Sequence, residues 1–200
     1  MLTAMLKTAI LAAALLVGGA AALSFGPPMP PEIAGKIPGP PPPPAKGLMP
    51  QDVRPLEAGF RADAVRVEKK LRRIHLLHNG EIRASWPVAL GGNPVGHKQQ
   101  EGDRRTPEGR YVIDWRNPKS SYFLSLHISY PGKADKERAR ALGVEPGGMI
   151  MIHGQPNGTQ YAASVLQSFD WTDGCIAVTN EAMQTIWDSV PNGTPIEILP

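Results

Sequence analysis

A mainly β domain of the α+β class, with curved or sandwiched mixed sheets and one or two packed helices, is the fold this sequence predicts. Three observations predict it. From position 61 to the C-terminus short runs alternate apolar and polar residues, one pair of runs is joined by Asn79-Gly80, and the helical patterns are few and brief. Residues 64–70 (AVRVEKK) and 72–78 (RRIHLLH) have strand period, and 81–90 (EIRASWPVAL) follows the Asn-Gly pair. That pair supplies two positive φ angles, so a hairpin is expected, and Pro87 marks its second arm as an edge strand or a bulge. Further strands are expected at 109–115 (GRYVIDW), 122–129 (YFLSLHIS), 149–153 (MIMIH), 175–178 (CIAV) and 195–199 (PIEIL). Helical patterns fall at 134–142 (ADKERARAL), about 161–167 and 181–189 (EAMQTIWDS), the last with Thr179 or Asn180 as N-cap and Glu181 in its first turn.

Composition sets the outer bounds. With 200 residues, 42% hydrophobic and 20% charged, the chain suits one globular domain plus an extra segment, and excludes a disordered protein or a coiled coil. Its net charge is +3 with no long basic run, which excludes nucleic acid as the main partner. Proline is uneven: of 22, twelve lie in 27–55, including five in a row from Pro40 to Pro44. Such a segment cannot build a packed core and reads as a semi-rigid polyproline spacer. Before it, Lys7 precedes the apolar run 8–23, which ends in small residues with Ala20 and Ala22 as an Ala-x-Ala site. The run falls short of the roughly 20 residues a spanning helix needs, so it reads as a signal peptide, with an uncleaved N-terminal membrane anchor as the alternative. The expected division is 1–23 signal peptide or anchor, 24–58 proline-rich linker and 59–200 folded domain, with the domain outside the cytoplasm.

Cys175 is the single cysteine, so an intramolecular disulfide is excluded and the thiol is inert, joined to another chain, or reactive. Its neighbours favour reactivity. The apolar run 150–152 leads into His153-Gly154, and Trp171-Thr172-Asp173-Gly174-Cys175 opens a second apolar strand. An imidazole that takes the proton of a thiol makes it a better nucleophile, so Cys175 and His153 form a candidate dyad. Gly174 permits close backbone approach, and amides around Cys175 are candidate donors to an oxyanion.

At these positions the sequence resembles the YkuD-type L,D-transpeptidases, whose mark is a His followed by a Ser/Thr-x-Gly-Cys segment; here the matching residues are His153, Thr172, Gly174 and Cys175. The resemblance extends to residues 101–111, with Arg105-Thr106-Pro107-Glu108-Gly109, and to 125–135 (SLHISYPGKAD), and so covers about 61–199. These segments are similar to the murein L,D-transpeptidase branch, which also contains enzymes that cut lipoprotein from peptidoglycan. Three features depart from the family pattern: Asp173 replaces a His, Ala177 replaces a polar residue, and eighteen residues separate His153 from Thr172.

The resemblance implies acyl transfer on peptidoglycan stem peptides, with Cys175 as nucleophile, His153 as base and then acid, and Gly154, Thr172, Asp173 and Gly174 in support. It implies that the Gly154 carbonyl holds the imidazole tautomer. It calls for no metal and no cofactor. The partners implied are stem peptides and, for the lipoprotein-cutting outcome, an outer-membrane lipoprotein. Alternatives are a hydrolase of the same fold and a catalytically silent peptidoglycan-binding module. Of the other histidines, His127 is a core residue or lines the cleft, and His97 is expected to face solvent in its Gly-rich loop. His75 and His78, three apart on a strand, point to opposite faces and suit no common metal. Residues 131–148 are read as a cover over the substrate or as a surface connection.

Overall fold

The computed structural model describes residues 56–200; the segments expected as signal peptide or anchor and all but the last residues of the expected proline-rich linker lie outside the described residues. The fold is mainly β. Among the described residues there are eight strands and three helices: β1 (Ala64–Glu68), β2 (Arg73–His78), β3 (Glu81–Pro87), β4 (Gly109–Ser120), β5 (Phe123–Ile128), α1 (Lys133–Leu142), β6 (Met151–His153), α2 (Ala163–Leu166), β7 (Ile176–Ala177), α3 (Asn180–Ser189) and β8 (Pro195–Leu199).

The expected hairpin is β2–β3, with Asn79 at φ 55° and Gly80 at φ 79°, the two left-handed residues a tight turn of this kind requires. The strands run in the order β3-β2-β1-β8-β4-β5-β6-β7, so β3 with Pro87 is an edge. Two pairs are parallel, β1 with β8 and β6 with β7; the rest are antiparallel.

β4 is where the sheet turns. Its first residues, Gly109 to Val112, pair with β8, whereas Ile113 to Ser120 pair with β5 through two register irregularities. Bulges of this kind bend a strand and increase its twist. The chain after β3 then reaches the opposite edge: Ala89 bridges Ala177 and Gly91 bridges Thr172. The sheet thus curls until its two edges meet beside the cysteine.

Alternation decides the faces. Leu126, Ile128, Ile152 and Ile176 point inward with Val65, Val67, Ile74, Leu76, Ile196 and Ile198, and α3 lays Ala182, Met183 and Ile186 against them. Thr179 caps α3, its hydroxyl accepting from Ala182 N–H at 3.2 Å. The pattern expected at 161–167 yields only the single turn α2.

One expectation needs correction. His97 does not face solvent: its Nδ1 accepts from Glu108 N–H at 2.9 Å, and its Nε2 lies 3.0 Å from Asp135 on α1. Segment 131–148 is anchored at the start of its helix, because buried Asp135 also accepts from Tyr111 OH at 3.1 Å and from Gly132 N–H at 2.9 Å. A carboxylate with that many donors is a structural hub, which a charged helix pattern does not disclose.

Lys69 is the other hub. It is 2% exposed, and its ammonium donates to Gly96 O (2.6 Å), Thr106 O (2.9 Å) and Glu108 Oε1 (2.7 Å). All three of its protons are used, which fixes the Gly-rich loop against the segment that runs under the cysteine turn. Burial lowers its pKa, and Glu108 opposes that shift. Lys69→Met strands these acceptors and is expected to lower the unfolding free energy by about 3 kcal/mol. Urea denaturation measures this, and a change under about 1 kcal/mol would remove Lys69 from the account.

Candidate functional site

His153 ends β6 and Cys175 immediately precedes β7. The register pairs His153 with Ser125 on one side and Ala177 on the other. Cys175, two residues before Ala177, falls on the same face as His153, one pleat away. Strand spacing and rise put the two backbones about 8 Å apart, within reach of both side chains. Continuing the row outward from the cysteine passes Met151, His127 and Trp115, because His127 pairs with Met151 and Trp115 with His127. His127 therefore shares the face of the thiol, two strands away. Its Nδ1 lies 2.6 Å from Asp114 Oδ1, and Trp115 stacks on its ring.

The turn that carries the thiol is held by Thr172. Its hydroxyl donates to Cys175 O at 2.8 Å and accepts from Gly174 N–H at 3.2 Å. That bond occupies the Gly174 amide, one of the candidate oxyanion donors. Thr172 is itself clamped to the other sheet edge, its N–H donating to Leu90 O (3.1 Å) and its carbonyl accepting from Gly92 N–H (2.9 Å). Gly174 has φ 131°, and a Cβ there would lie 2.7 Å from Arg105 O, so both conformation and space demand glycine. Asp173 is 73% exposed, with one carboxylate oxygen 3.6 Å from Arg104 Nε.

The imidazole is boxed. Tyr122 lies 4.7 Å and Trp171 5.7 Å from it, centroid to centroid, and the residue is 4% exposed. Its Nδ1 lies 2.6 Å from Gly154 O, so that nitrogen carries the proton and donates, leaving Nε2 as the acceptor. Gly154 is dictated by space: a Cβ would sit 2.5 Å from Asn180 Oδ1 and 2.9 Å from Phe123 Cβ. Asn180 Oδ1 in turn accepts from Gln155 N–H at 2.8 Å, so the first residue of α3 fixes the chain beyond the histidine.

Burial governs the protonation states. It pushes the His153 imidazole down to about 4, against the pull of Gly154 O. It pushes the Cys175 thiol up to about 11, with the charge of Asp173 adding to the rise, and with Met151 N–H and Lys98 opposing it. The thiol points to Met149 O at 3.6 Å, and among the described residues no hydrogen bond joins it to His153. The hydrogen-bonded pair expected from sequence is thus a pair of neighbours at rest, both neutral. Apo sites commonly hold such groups apart until substrate enters.

Sequence reasoning missed Tyr122, Trp171, Asn180 and Arg104. Trp171 adjoins the Thr172 motif and Asn180 adjoins a helix cap, so each carried a local signal; Tyr122 reaches His153 only through the β5–β6 pairing.

A family model for the L,D-transpeptidase catalytic domain (YkuD) matches residues 62–198. The chain belongs to that family. YafK of Escherichia coli (strain K12) is 32% identical over 113 residues, covering 55% of this chain and 38% of that relative, so the match spans well under half of YafK. Among solved structures, a mutant of the helical cell shape determining protein Pgp2 from Campylobacter jejuni is 27% identical, covers 68% of this chain and 46% of that one, and has a TM-score of 0.50. An L,D-transpeptidase from Xylanimonas cellulosilytica covers 72% of this chain and 64% of that one, at 15% identity and a TM-score of 0.46.

The depressed His153 gives this L,D-transpeptidase-family domain a defined acid response. The folded imidazole titrates near 4 and the unfolded one near 6.5, so between those values the unfolded chain binds more protons and stability rises with pH. Lowering the pH from 7 to 4.5 is expected to remove about 2 kcal/mol through this residue. Urea unfolding at the two pH values should show that loss in the wild type and not in His153→Gln; equal slopes would contradict the buried neutral imidazole.

Proposed function

We propose that the domain carries out cysteine-dependent acyl transfer on peptidoglycan stem peptides in the cell envelope, with Cys175 as nucleophile and His153 as general base and acid. The observation that carries this reading is the common face shared by Cys175 and His153, with the imidazole Nδ1 committed to Gly154 O and Nε2 left to take a proton.

Because both groups rest neutral, the sulfur loses its proton only as its bond to carbon forms. Sγ attacks the carbonyl carbon of the residue before the terminal D-amino acid, and the thiol proton passes to His153 Nε2. The tetrahedral oxyanion collapses, the C–N bond breaks, and the imidazolium returns the proton to the leaving amine, giving a thioester. An acceptor then gives its proton to His153 as it attacks the thioester, and the imidazolium returns that proton to Sγ as the C–S bond breaks. An amine acceptor from a second stem makes a cross-link. Water as the acceptor makes the enzyme a hydrolase, trimming stems or releasing a lipoprotein. Asp173 favours this second reading, since its exposed carboxylate stands two residues from the thiol, where a carboxylate is able to accept a hydrogen bond from an incoming water. The proposed organisation places this domain, from about residue 59, after an export segment and a proline-rich spacer.

Mass spectrometry of products tests the proposal. The wild type and Cys175→Ala are incubated with tetrapeptide muropeptides and with lipoprotein-linked muropeptides. Cysteine-dependent dimers are expected for the transferase, and tripeptide or freed lipoprotein peptide without dimers for the hydrolase. The absence of any cysteine-dependent product would overturn the proposal in favour of a silent binding module.

A further inference from the structure

Arg104 stands beside the nucleophile turn and is held only loosely there. Its Nε is buried and makes no hydrogen bond, and its ion partner is Asp173 at 3.6 Å, beyond bonding distance. Arg66 and Arg105 also bury an unbonded Nε, but other arginines of the described domain are gripped. Arg72 grips Asp170 through two nitrogens at 2.7 to 3.1 Å, Arg138 donates to Asp135 at 3.1 Å, and Arg116 donates to Trp187 O at 3.2 Å while covering that indole. A buried donor left unsatisfied costs about 1 to 3 kcal/mol, and more when it is charged, so one kept beside a reactive group calls for a ligand.

The chain around it is shaped to keep it there. Arg104 has a left-handed backbone, φ 56°, and its carbonyl accepts from Asn93 N–H at 3.0 Å. A Cβ at Gly91 would lie 2.3 Å from that carbonyl and 3.0 Å from Gly174 Cα, so the arginine backbone, Gly91 and the cysteine turn are in mutual contact. The guanidinium itself lies over Gly92, where a Cβ would fall 2.0 Å from Nη2. Of the nearby cations, Lys98 donates to Asp103 at 2.8 Å and Arg105 turns to His97 O at 3.5 Å. The side chain keeps 34% exposure, enough for a ligand to reach its planar fork.

We propose that Arg104 binds a carboxylate of the stem peptide and so sets which stem is accepted, resting on the stem-peptide reading above. A carboxylate fits because a guanidinium fork takes two carboxylate oxygens at once, and because Asp173 already presents that same group to it loosely. Asp173 keeps the fork aimed at the cleft mouth, and the substrate completes the hydrogen bonds that Asp173 does not.

Binding to Cys175→Ala, measured by isothermal titration calorimetry, tests this apart from turnover. The ligands are the tetrapeptide muropeptide and three versions, each with one carboxyl group converted to an amide: the D-Glu, the diamino acid or the terminal D-Ala. Adding Arg104→Gln is expected to weaken tetrapeptide binding about tenfold, with Arg104→Lys intermediate. For one amidated ligand the Arg104→Gln effect should vanish, and that ligand identifies the carboxylate. Arg104→Gln leaving tetrapeptide affinity unchanged, weakening all four ligands equally, or no binding of any ligand would overturn the inference. If binding depends on Arg104 while the wild type makes no cysteine-dependent product, the catalytic reading fails and the carboxylate site stands.

Discussion

Ala89 and Ala177 exchange two main-chain hydrogen bonds, 2.9 and 2.8 Å, and the rest of the site depends on that bridge. Without it, β7 is a two-residue strand held on one side by β6, too short to fix the turn before it. With it, the curled sheet closes on itself, Thr172 is clamped between Leu90 and Gly92, and the turn through Gly174 has one place to go. Arg72 reinforces the closure from outside: it grips Asp170, whose other oxygen accepts from Leu90 N–H at 2.8 Å. Lys69 reinforces it from within by tying the loop after Gly92 to the segment beneath the turn. Positioning is thus supplied mostly by main chain and by two cations far from the chemistry, which suits a site that must hold its geometry to a fraction of an ångström.

The same closure sets the electrostatics. It buries His153 between Tyr122 and Trp171 and leaves Ala177 across from it, a side chain too small and apolar to offer the imidazole a partner. The histidine is accordingly held low, the thiol high, and the resting site carries no net charge on its reacting pair. Under the proposed mechanism, charge develops on the pair only as a substrate carbonyl receives the sulfur.

How far the sequence disclosed this differs by element. The β2–β3 hairpin was legible from Asn79-Gly80, the α3 start from Thr179, and the edge position of β3 from Pro87, because each signal is local. Cys175, His153 and Gly154 were legible as a group from their flanking apolar runs and glycines. β4 was read as seven residues and spans twelve, because its last five, Arg116 to Ser120, are polar and become strand only by pairing with β5. The insertion of β8 between β1 and β4 has no local signature at all. Lys69 and Asp135 carried no signal in the sequence, and His97 was expected to face solvent in its Gly-rich loop; their engagement follows from several partners brought in from distant segments. Arg104 carried no local signal either, since the carboxylate it faces, Asp173, comes from a distant segment.

Intact-mass spectrometry of the protein mixed with tetrapeptide muropeptide and quenched in acid is the most direct test of the central claim, that this fold turns Cys175 into an acyl carrier. The account predicts a thioester adduct on Cys175 that has lost the terminal D-amino acid, sensitive to hydroxylamine and slower to form in His153→Ala. An adduct that persists in Cys175→Ala, or one whose rate of formation ignores His153, would contradict it.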